Sequence, residues 1–218
     1  MRMCSVPRTR TEPVMPLRWV RAGARLSRRC PRRNEQDHPA FARFVARFVT
    51  RAARSSLAMT RYPTGLIVGR FNPPHLGHSY MIEWAEQRTQ HLVVFVNTRD
   101  GELVPGELRA AWLADLHPRV TVVELRHQLD NDFANEELWA KWMALFESQW
   151  PHDSGPHVVF SSDVYISELA RRFGADAVVV DADRVAVPIS ATQIREAPAD
   201  HLDRLAPSVR AWVQANLC

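Results

Sequence analysis

One stretch constrains the fold of this chain more than any other: residues 64–78, which read TGLIVGRFNPPHLGH. Its apolar run, Leu66 to Val68, is typical of a buried strand. Gly69 follows and permits a turn that a side chain would obstruct. Two prolines then prevent strand pairing and helix formation until helical spacing begins at Leu76. The stretch predicts a strand, a glycine turn and a helix N-terminus, with which α/β sheets bind phosphate groups.

Two histidines lie at the predicted start of this helix. His75 and His78 are three residues apart, so in a first helical turn they would share a face. Gly77 between them lets a ligand approach the backbone closely. Imidazoles can donate hydrogen bonds to phosphoryl oxygens and stabilise charge that grows in a transition state. A turn with two surface histidines is the alternative, which a four-residue pattern alone does not exclude.

A second motif near the C-terminus reads ISATQIR over residues 189–195. Ser190 is expected to cap a helix, with Thr192 in the first turn and Arg195 on the same face. Hydroxyls, backbone N–H groups and a guanidinium fork all suit phosphate oxygens. An ordinary capped helix with a solvated arginine is the alternative. Two anion sites of this kind, each after a predicted strand, favour a nucleotide site.

Short apolar strands alternate with helices from Tyr62 onward. Beyond the first motif, strands are predicted at 91–96, 120–125, 157–160 and 176–180. Helices are predicted at 107–116, 135–149 and 165–173 and from 190 onward, with Pro207 opening the last segment. This order predicts an α/β fold with a Rossmann-like, doubly wound parallel sheet and C-terminal helices. Ligands of such sheets lie beyond the carboxyl ends of the strands. Four polar side chains follow predicted strands and should face that crevice: His75, Asn97, Ser161 and Asp163.

Charge divides the chain into two unlike parts. Residues 1–60 hold 14 Arg, no Lys and three acidic residues, a net charge of +11, whereas residues 61–218 carry a net −7. The high isoelectric point therefore belongs to the first segment, and a nucleic-acid partner inferred from it would be misplaced for the second. We expect residues 1–60 to be a disordered extension without a core, and residues 61–218 to form the functional domain.

Three interpretations of residues 1–60 stay open. The segment could be an Arg-rich transit peptide, an arm for nucleic acid or membrane, or sequence upstream of a true start at Met59. The chain has 27 Arg and one Lys, which indicates GC-rich coding DNA, where stop codons are scarce and reading frames extend too far upstream. That pattern favours the third interpretation. A chain that begins at Met59 is then expected to fold and keep its activity.

The cysteines and the apolar runs bear on the compartment. Cys4, Cys30 and Cys218 have neither disulfide nor metal-ligand spacing, so we expect a reduced cytoplasmic setting. No apolar run approaches the length of a membrane span, so no membrane partner is expected. Lys141 is the only lysine, and it stands outside any phosphate-binding Gly-Lys-Ser/Thr loop.

Taken together, the two motifs resemble the nucleotidylyltransferase superfamily. The resemblance extends from about Tyr62 to the C-terminus, and it rests on Gly69, Phe71, Pro73, His75, Gly77, His78, Ile189, Ser190, Thr192 and Arg195. Within the superfamily the chain is most similar to the nicotinamide-mononucleotide adenylyltransferase domain of NadR-type proteins. That similarity lies in residues 96–101 (VNTRDG), 105–109 (PGELR), Trp139 and 160–163 (FSSD).

The resemblance implies transfer of the adenylyl group of ATP to nicotinamide mononucleotide, with release of pyrophosphate. It implies catalytic roles for His75, His78 and Arg195. The residues it implies for ATP are Gly69, Arg70, Phe71, Gly77, Ser161, Asp163, Ser190 and Thr192. Those it implies for the mononucleotide are Asn97, Arg109 and Trp139. Magnesium would arrive on the ATP phosphates without protein ligands of its own, and a homo-oligomer is possible.

Other interpretations accompany these roles. Arg109 could instead form a surface ion pair, Trp139 could belong to the core, and Ser161 with Asp163 could form a plain strand-end turn. Arg70 and Arg184 could contact phosphates or be solvated. The acceptor could be nicotinate mononucleotide or phosphopantetheine, the donor a cytidine nucleotide, or the chain a regulatory module that binds nucleotides without turnover. The intact histidine pair argues against the last, because binding alone would tolerate its loss.

Overall fold

The computed structural model describes residues 61–132, 134–163 and 166–218, in which five strands alternate with helices. The strands are β1 (Tyr62–Gly69), β2 (Thr89–Thr98), β3 (Thr121–Arg126), β4 (Val158–Ser161) and β5 (Asp176–Val179). The α-helices are α1 (Leu76–Glu86), α2 (Gly106–Leu116), α3 (Glu136–Gln149), α4 (Ile166–Phe173), α5 (Ala191–Glu196) and α6 (Pro207–Asn216). The predictions made for residues 1–60 lie outside the described residues.

All four strand pairings are parallel, and the strand order is β3-β2-β1-β4-β5. The first strand therefore lies in the centre. The chain adds β2 and β3 on one side of β1, then crosses over to add β4 and β5 on the other. The point at which the direction of winding reverses lies between β1 and β4, where the loops after the two strands diverge and leave a crevice. The predicted Rossmann-like α/β fold is confirmed.

Helices cover both faces of this sheet, as the prediction of double winding requires. Successive residues of a strand point to opposite faces, and Leu66 and Ile67 of β1 accordingly belong to two different buried clusters. One cluster contains side chains of α1 and α2, and the other contains side chains of α3 and α4. Because the central strands are buried on both faces, they read in the sequence as continuous apolar runs rather than alternating ones.

The first and last residues of some strands and helices differ from the prediction, because apolar content alone does not determine where an element begins or ends. Strand β1 begins at Tyr62, four residues before the apolar run, because its backbone pairing with β2 continues through Tyr62 opposite Thr89. The helical tail is interrupted: a 3-10 segment, Pro198–Arg204, separates α5 from α6. Pro207 lies in the first turn of α6, as predicted.

No helix in the described part of the chain has the length and apolarity needed to cross a membrane.

Candidate active site

In the turn after β1, the residue with a left-handed backbone conformation is not the one that the sequence predicted. Phe71, not Gly69, has a positive φ of 50°. Gly69 is needed for space instead, because a Cβ there would lie 3.0 Å from the Phe71 ring. That ring is only 2% exposed and contacts the edge of the His78 imidazole, with centroids 4.8 Å apart. Phe71, for which the sequence predicts a contact with ATP, is thus buried and packs against His78.

The sequence predicted that His75 lies in the first turn of α1. In the structure His75 is instead the N-cap of this helix. Its Nδ1 accepts a hydrogen bond from the backbone N–H of Gly77 at 3.1 Å. The Nδ1 of His78 accepts from the backbone N–H of His75 at 3.3 Å. A Cβ at residue 77 would lie 3.0 Å from Cε1 of His75, so the glycine makes room for that ring. Both neutral imidazoles therefore carry their proton on Nε2.

Burial keeps both rings neutral. It lowers the pKa of His75 to about 3, with the positive charge of Arg184 as a second cause. Burial also lowers the pKa of His78 well below its ordinary value, helped by the charges of His75 and Arg184. At neutral pH the pair thus offers two Nε2–H donors without positive charge. Such donors can bind phosphoryl oxygens and need no prior proton transfer.

The second motif begins at the N-cap of α5, as predicted. The Oγ of Ser190 accepts from the backbone N–H of Gln193 at 3.2 Å. Nη2 of Arg195 donates to Oγ1 of Thr192 at 3.0 Å, and Nη1 donates to the backbone carbonyl of Asn72 at 2.6 Å. Arg195 therefore links the second motif to the first, and the guanidinium fork is held by both.

A small cavity of about 190 Å³ brings the two motifs together. It lies past the ends of β1, β4 and β5, at the winding reversal. The sequence-selected residues that line it are His75, Gly77, His78, Asp163, Ser190 and Thr192. Ser161, which was predicted to contact ATP, is buried, and its Oγ accepts from the backbone N–H of Asp163 at 3.0 Å. It therefore orients the loop and does not line the cavity.

Arg184 is a lining residue of this cavity to which the sequence gave only an undecided role. The loop that carries it is held by the carboxylate of Asp181, which accepts from the backbone N–H groups of Val185, Ala186 and Val187. Both Asp181 and Arg184 have positive φ, 53° and 52°. The sequence signal was weak, because only the fold puts this loop beside the histidines.

A larger cavity of about 640 Å³ lies at the carboxyl ends of β1 and β2 and beside the loop after β3. The sequence-selected residues that line it are Gly69, Arg70, Asn97, Trp139 and Arg195. Arg195 lines this cavity and Thr192 lines the small one, and their hydrogen bond shows that the two cavities adjoin. Sequence reasoning missed Arg99, Glu102 and His127 here. The predicted single crevice is thus a pair of neighbouring cavities.

The side chain of Arg109 is 0% exposed. It pairs with Glu102 and donates to the backbone carbonyls of Arg70 and Asn97 and to Oγ1 of Thr98. Its ion pair is therefore buried rather than at the surface, and a contact with a mononucleotide stays a prediction. Arg109 ties together the ends of β1 and β2 and the loop that holds Glu102.

Trp139 lies both in the core and at the wall of the large cavity. Its side chain is 4% exposed and belongs to the buried cluster under α3, yet the ring also lines the large cavity. The guanidinium of Arg172 lies over the ring, with Cζ 4.6 Å from the ring centroid. The indole is therefore a rigid wall of the cavity rather than a mobile side chain.

Across the described ranges, no group of three or more His, Cys, Asp or Glu side chains could hold a metal ion. The carboxylate of Asp181 in the small cavity is occupied by backbone N–H groups.

The fold and these two linked motifs define a nucleotidyltransferase. The chain belongs to the cytidylyltransferase-like family, whose model matches residues 66–197, more than half of the chain. A nicotinamide-nucleotide adenylyltransferase from Aeropyrum pernix is 52% identical over 33 residues, which are 15% of this chain and 19% of that protein.

Solved structures share the fold. A NadR protein in complex with NAD and AMP-PNP is 25% identical with a TM-score of 0.50, and the match covers 66% of this chain and 45% of NadR. A NadR protein in complex with NR is 20% identical with a TM-score of 0.52, over 67% of this chain and 44% of that one. This chain therefore matches less than half the length of these relatives.

Proposed function

We propose that this chain transfers the adenylyl group of ATP to nicotinamide mononucleotide, giving NAD and pyrophosphate. The observation that carries the proposal is the meeting of both motifs in one cavity, where His75 and His78 offer two neutral Nε2–H donors. The adjoining cavity of about 640 Å³ has room for a second substrate. Residues 61–218 are the catalytic domain in this proposal, since both motifs and both cavities lie within them.

The chemistry needs little from the protein beyond positioning and stabilisation of charge. A phosphate oxygen of the mononucleotide attacks the α-phosphorus of ATP, a new P–O bond forms, the bond to the β-phosphate breaks, and pyrophosphate leaves. The attacking phosphate is already largely dianionic at neutral pH, so no general base is required. The Nε2–H groups of His75 and His78 donate hydrogen bonds to oxygens around the α-phosphorus. These hydrogen bonds strengthen as negative charge moves toward the leaving group.

The leaving pyrophosphate is assigned to the other wall of the small cavity. Ser190 and Thr192 supply hydroxyl donors, and Arg184 supplies positive charge. Arg195 lies at the junction of the two cavities, where it can contact the transferred group while its position is held by Asn72. Magnesium bound to the triphosphate would neutralise part of its charge when ATP is present.

The acceptor is assigned to the large cavity. Trp139 forms a flat apolar wall against which a pyridinium ring can lie, and an indole face attracts a cationic ring. Nicotinamide is also the base named in the matched relative from Aeropyrum pernix, and the NadR structure with 25% identity contains NAD and AMP-PNP. These similarities support a nicotinamide acceptor over phosphopantetheine.

The test is an assay of the purified full chain with ATP and a panel of acceptors: nicotinamide mononucleotide, nicotinate mononucleotide and phosphopantetheine. Pyrophosphate release and dinucleotide formation are measured together, with CTP in place of ATP as a second comparison. The proposal expects a high rate of dinucleotide formation with ATP and nicotinamide mononucleotide, and a low rate with the other acceptors or with CTP. The proposal would be refuted if a dinucleotide formed with CTP but not with ATP, or if phosphopantetheine were the only acceptor that supported turnover.

A further inference from the structure

Glu102 is a buried carboxylate that binds two arginines at the edge of the large cavity. Its side chain is 6% exposed, and Oε1 accepts a hydrogen bond from Nε of Arg70 at 2.8 Å. Oε2 accepts from Nη2 of Arg109 and from the backbone N–H of Arg99, the latter at 3.2 Å. Burying a carboxylate costs free energy unless it is paired, and Arg109 already pairs with Oε2. The second ion pair, with Arg70, therefore calls for an explanation of its own.

Arg70 is fixed at both its backbone and its side chain. Nη1 of Arg109 donates to the backbone carbonyl of Arg70, and Oε1 of Glu102 accepts from Nε of Arg70. The side chain of Arg70 is nevertheless 57% exposed, and it lines the large cavity. Within the described ranges, Nε is the only atom of this guanidinium that forms a hydrogen bond. The two Nη groups are therefore oriented donors that are available to a ligand in the cavity.

The loop between β2 and α2, which carries Glu102, is itself bound to the first motif. Oδ1 of Asn72 accepts from the backbone N–H of Val104 at 3.3 Å. The backbone carbonyl of Asn72 accepts from Nη1 of Arg195 at 2.6 Å. Arg195 lines the large cavity together with Arg70. One short set of hydrogen bonds therefore fixes the carboxylate of Glu102 relative to both guanidiniums.

We propose that Glu102 is a positioning residue that acts through Arg70, which it holds so that both Nη groups donate to the phosphate of the acceptor. That phosphate is largely dianionic at neutral pH. A planar fork whose orientation is fixed in advance binds such a group with a smaller loss of side-chain freedom. The cluster of Glu102, Arg70 and Arg109 has a net positive charge, and Arg70 is its exposed cation. This inference rests on the proposed adenylyl transfer and adds to it a residue that acts without contacting the substrate.

The variant Glu102→Gln should release Arg70 selectively. Glutamine offers one acceptor oxygen in place of two. Arg109 retains that oxygen because its side chain is 0% exposed, whereas the exposed Arg70 can be hydrated instead. In the full chain, kcat/KM should fall by about tenfold, mainly through a higher KM for nicotinamide mononucleotide, with an unchanged KM for ATP. Glu124→Gln is the matched control, because Glu124 also pairs with an arginine, Arg126, but lies outside the lining of both cavities.

A double-mutant cycle shows whether Glu102 acts through Arg70. Arg70→Ala should lower kcat/KM by about tenfold or more, and adding Glu102→Gln should lower it no further. Arg70→Lys keeps the charge, but an ammonium cannot donate to Glu102 and present a planar pair of donors at the same time. It should therefore lose about as much as Arg70→Ala. Because Arg70 is exposed, its variants are expected to fold even if Glu102→Gln does not.

A purely structural role of Glu102 gives different results. It would lower the midpoint of urea unfolding in Glu102→Gln and leave kcat and both KM values of the folded variant unchanged. Unchanged kinetics, effects of the two substitutions that multiply, or wild-type kinetics in Arg70→Lys would each overturn the positioning role and leave adenylyl transfer intact. If the wild-type chain formed no dinucleotide, both the positioning role and the proposed function would be overturned.

Discussion

The imidazole rings of His75 and His78 stack on each other, with centroids 3.7 Å apart and planes inclined by 22°. Two positive charges at this separation would repel each other, so the stack requires that at least one ring be neutral. The hydrogen bonds to Nδ1 of each ring allow both to be neutral donors through Nε2. The pair can therefore donate hydrogen bonds without itself carrying charge.

Replacing one ring of this stack should affect turnover more than binding. His78→Ala is expected to lower kcat by about 10²–10³-fold, because the contact strengthens only as charge develops in the transition state. The KM for ATP should change by a few-fold at most. Steady-state kinetics check both quantities. His91→Ala, at an exposed histidine near the start of β2, is the control and should keep wild-type turnover. Near-normal kcat in His78→Ala would refute the assignment.

Stability should fall with acidity because buried histidines stay neutral in the folded state. Burial lowers the pKa of His75 to about 3 and that of His117 to about 4, whereas unfolded histidine titrates near about 6.5. Below pH about 6.5 the unfolded chain binds protons that the native state does not. The unfolding free energy should therefore drop by about 1.4 kcal/mol per pH unit for each histidine, down to its folded pKa.

Urea unfolding at several pH values between about 4.5 and about 7.5 measures this slope. His117→Gln removes one titrating group and keeps a polar partner for Ser79, whose Oγ lies 3.2 Å from Nε2 of His117. The variant should show a smaller slope than the wild type in the acidic range and none of the histidine effect above about pH 6.5. An identical slope in both proteins would contradict a neutral, buried His117.

The link between the two motifs should depend on a guanidinium and not on charge alone. Arg195→Lys retains the positive charge but cannot hold Asn72 and Thr192 with one planar fork. We expect kcat/KM to fall by about tenfold or more, which corresponds to about 1.4 kcal/mol of transition-state stabilisation. Arg204→Lys provides the control, since Arg204 is paired only with its neighbour Asp203 among the described residues. Equal kinetics in both variants would show that the fork is dispensable.

The cavity wall at Trp139 predicts a substrate-specific effect. Trp139→Phe keeps an apolar ring in the core and shortens the flat surface that faces the cavity. The KM for the mononucleotide should rise several-fold and the KM for ATP should stay unchanged. Trp139→Ala should in addition lose about 3–5 kcal/mol of unfolding free energy. Trp112→Phe, a core change outside the cavity lining, is the matched control. Normal KM values for both substrates in folded Trp139→Phe would contradict a contact between the indole of Trp139 and the pyridinium ring.

The buried ion pair of Arg109 should matter for stability. Arg109→Met leaves the carboxylate of Glu102, which is 6% exposed, with Arg70 as its remaining cationic partner in the described structure. A loss of about 3–5 kcal/mol is expected on urea unfolding. The double variant Arg109→Met/Glu102→Gln should recover part of it, because the uncompensated charge is gone. Arg126→Met, at an exposed ion pair, should change stability little. A small loss in Arg109→Met would mean that the pair is not buried in solution.

The sequence was most informative where a residue's environment is local. The strands of the sheet were recognisable because burial on both faces leaves a continuous apolar run, and Ser190 was recognisable because an N-cap needs only its own helix. The burial of Arg109 could not be predicted, because it depends on Glu102 and on strand-end carbonyls that only the fold brings near. His127 was missed for the same reason: its place beside Asn97 follows from the pairing of β2 with β3.

The hydrogen bond from Arg195 to the carbonyl of Asn72 spans 123 residues of sequence. During synthesis the ribosome releases the first motif long before the second, and the strands that border the small cavity emerge between them. If the proposed function holds, a nascent chain has an incomplete phosphate site until Arg195 leaves the exit tunnel. Since domains generally fold as units, nucleotide binding is then expected only when both motifs have been translated, and a ribosome stalled between them would hold a chain unable to bind the proposed substrate.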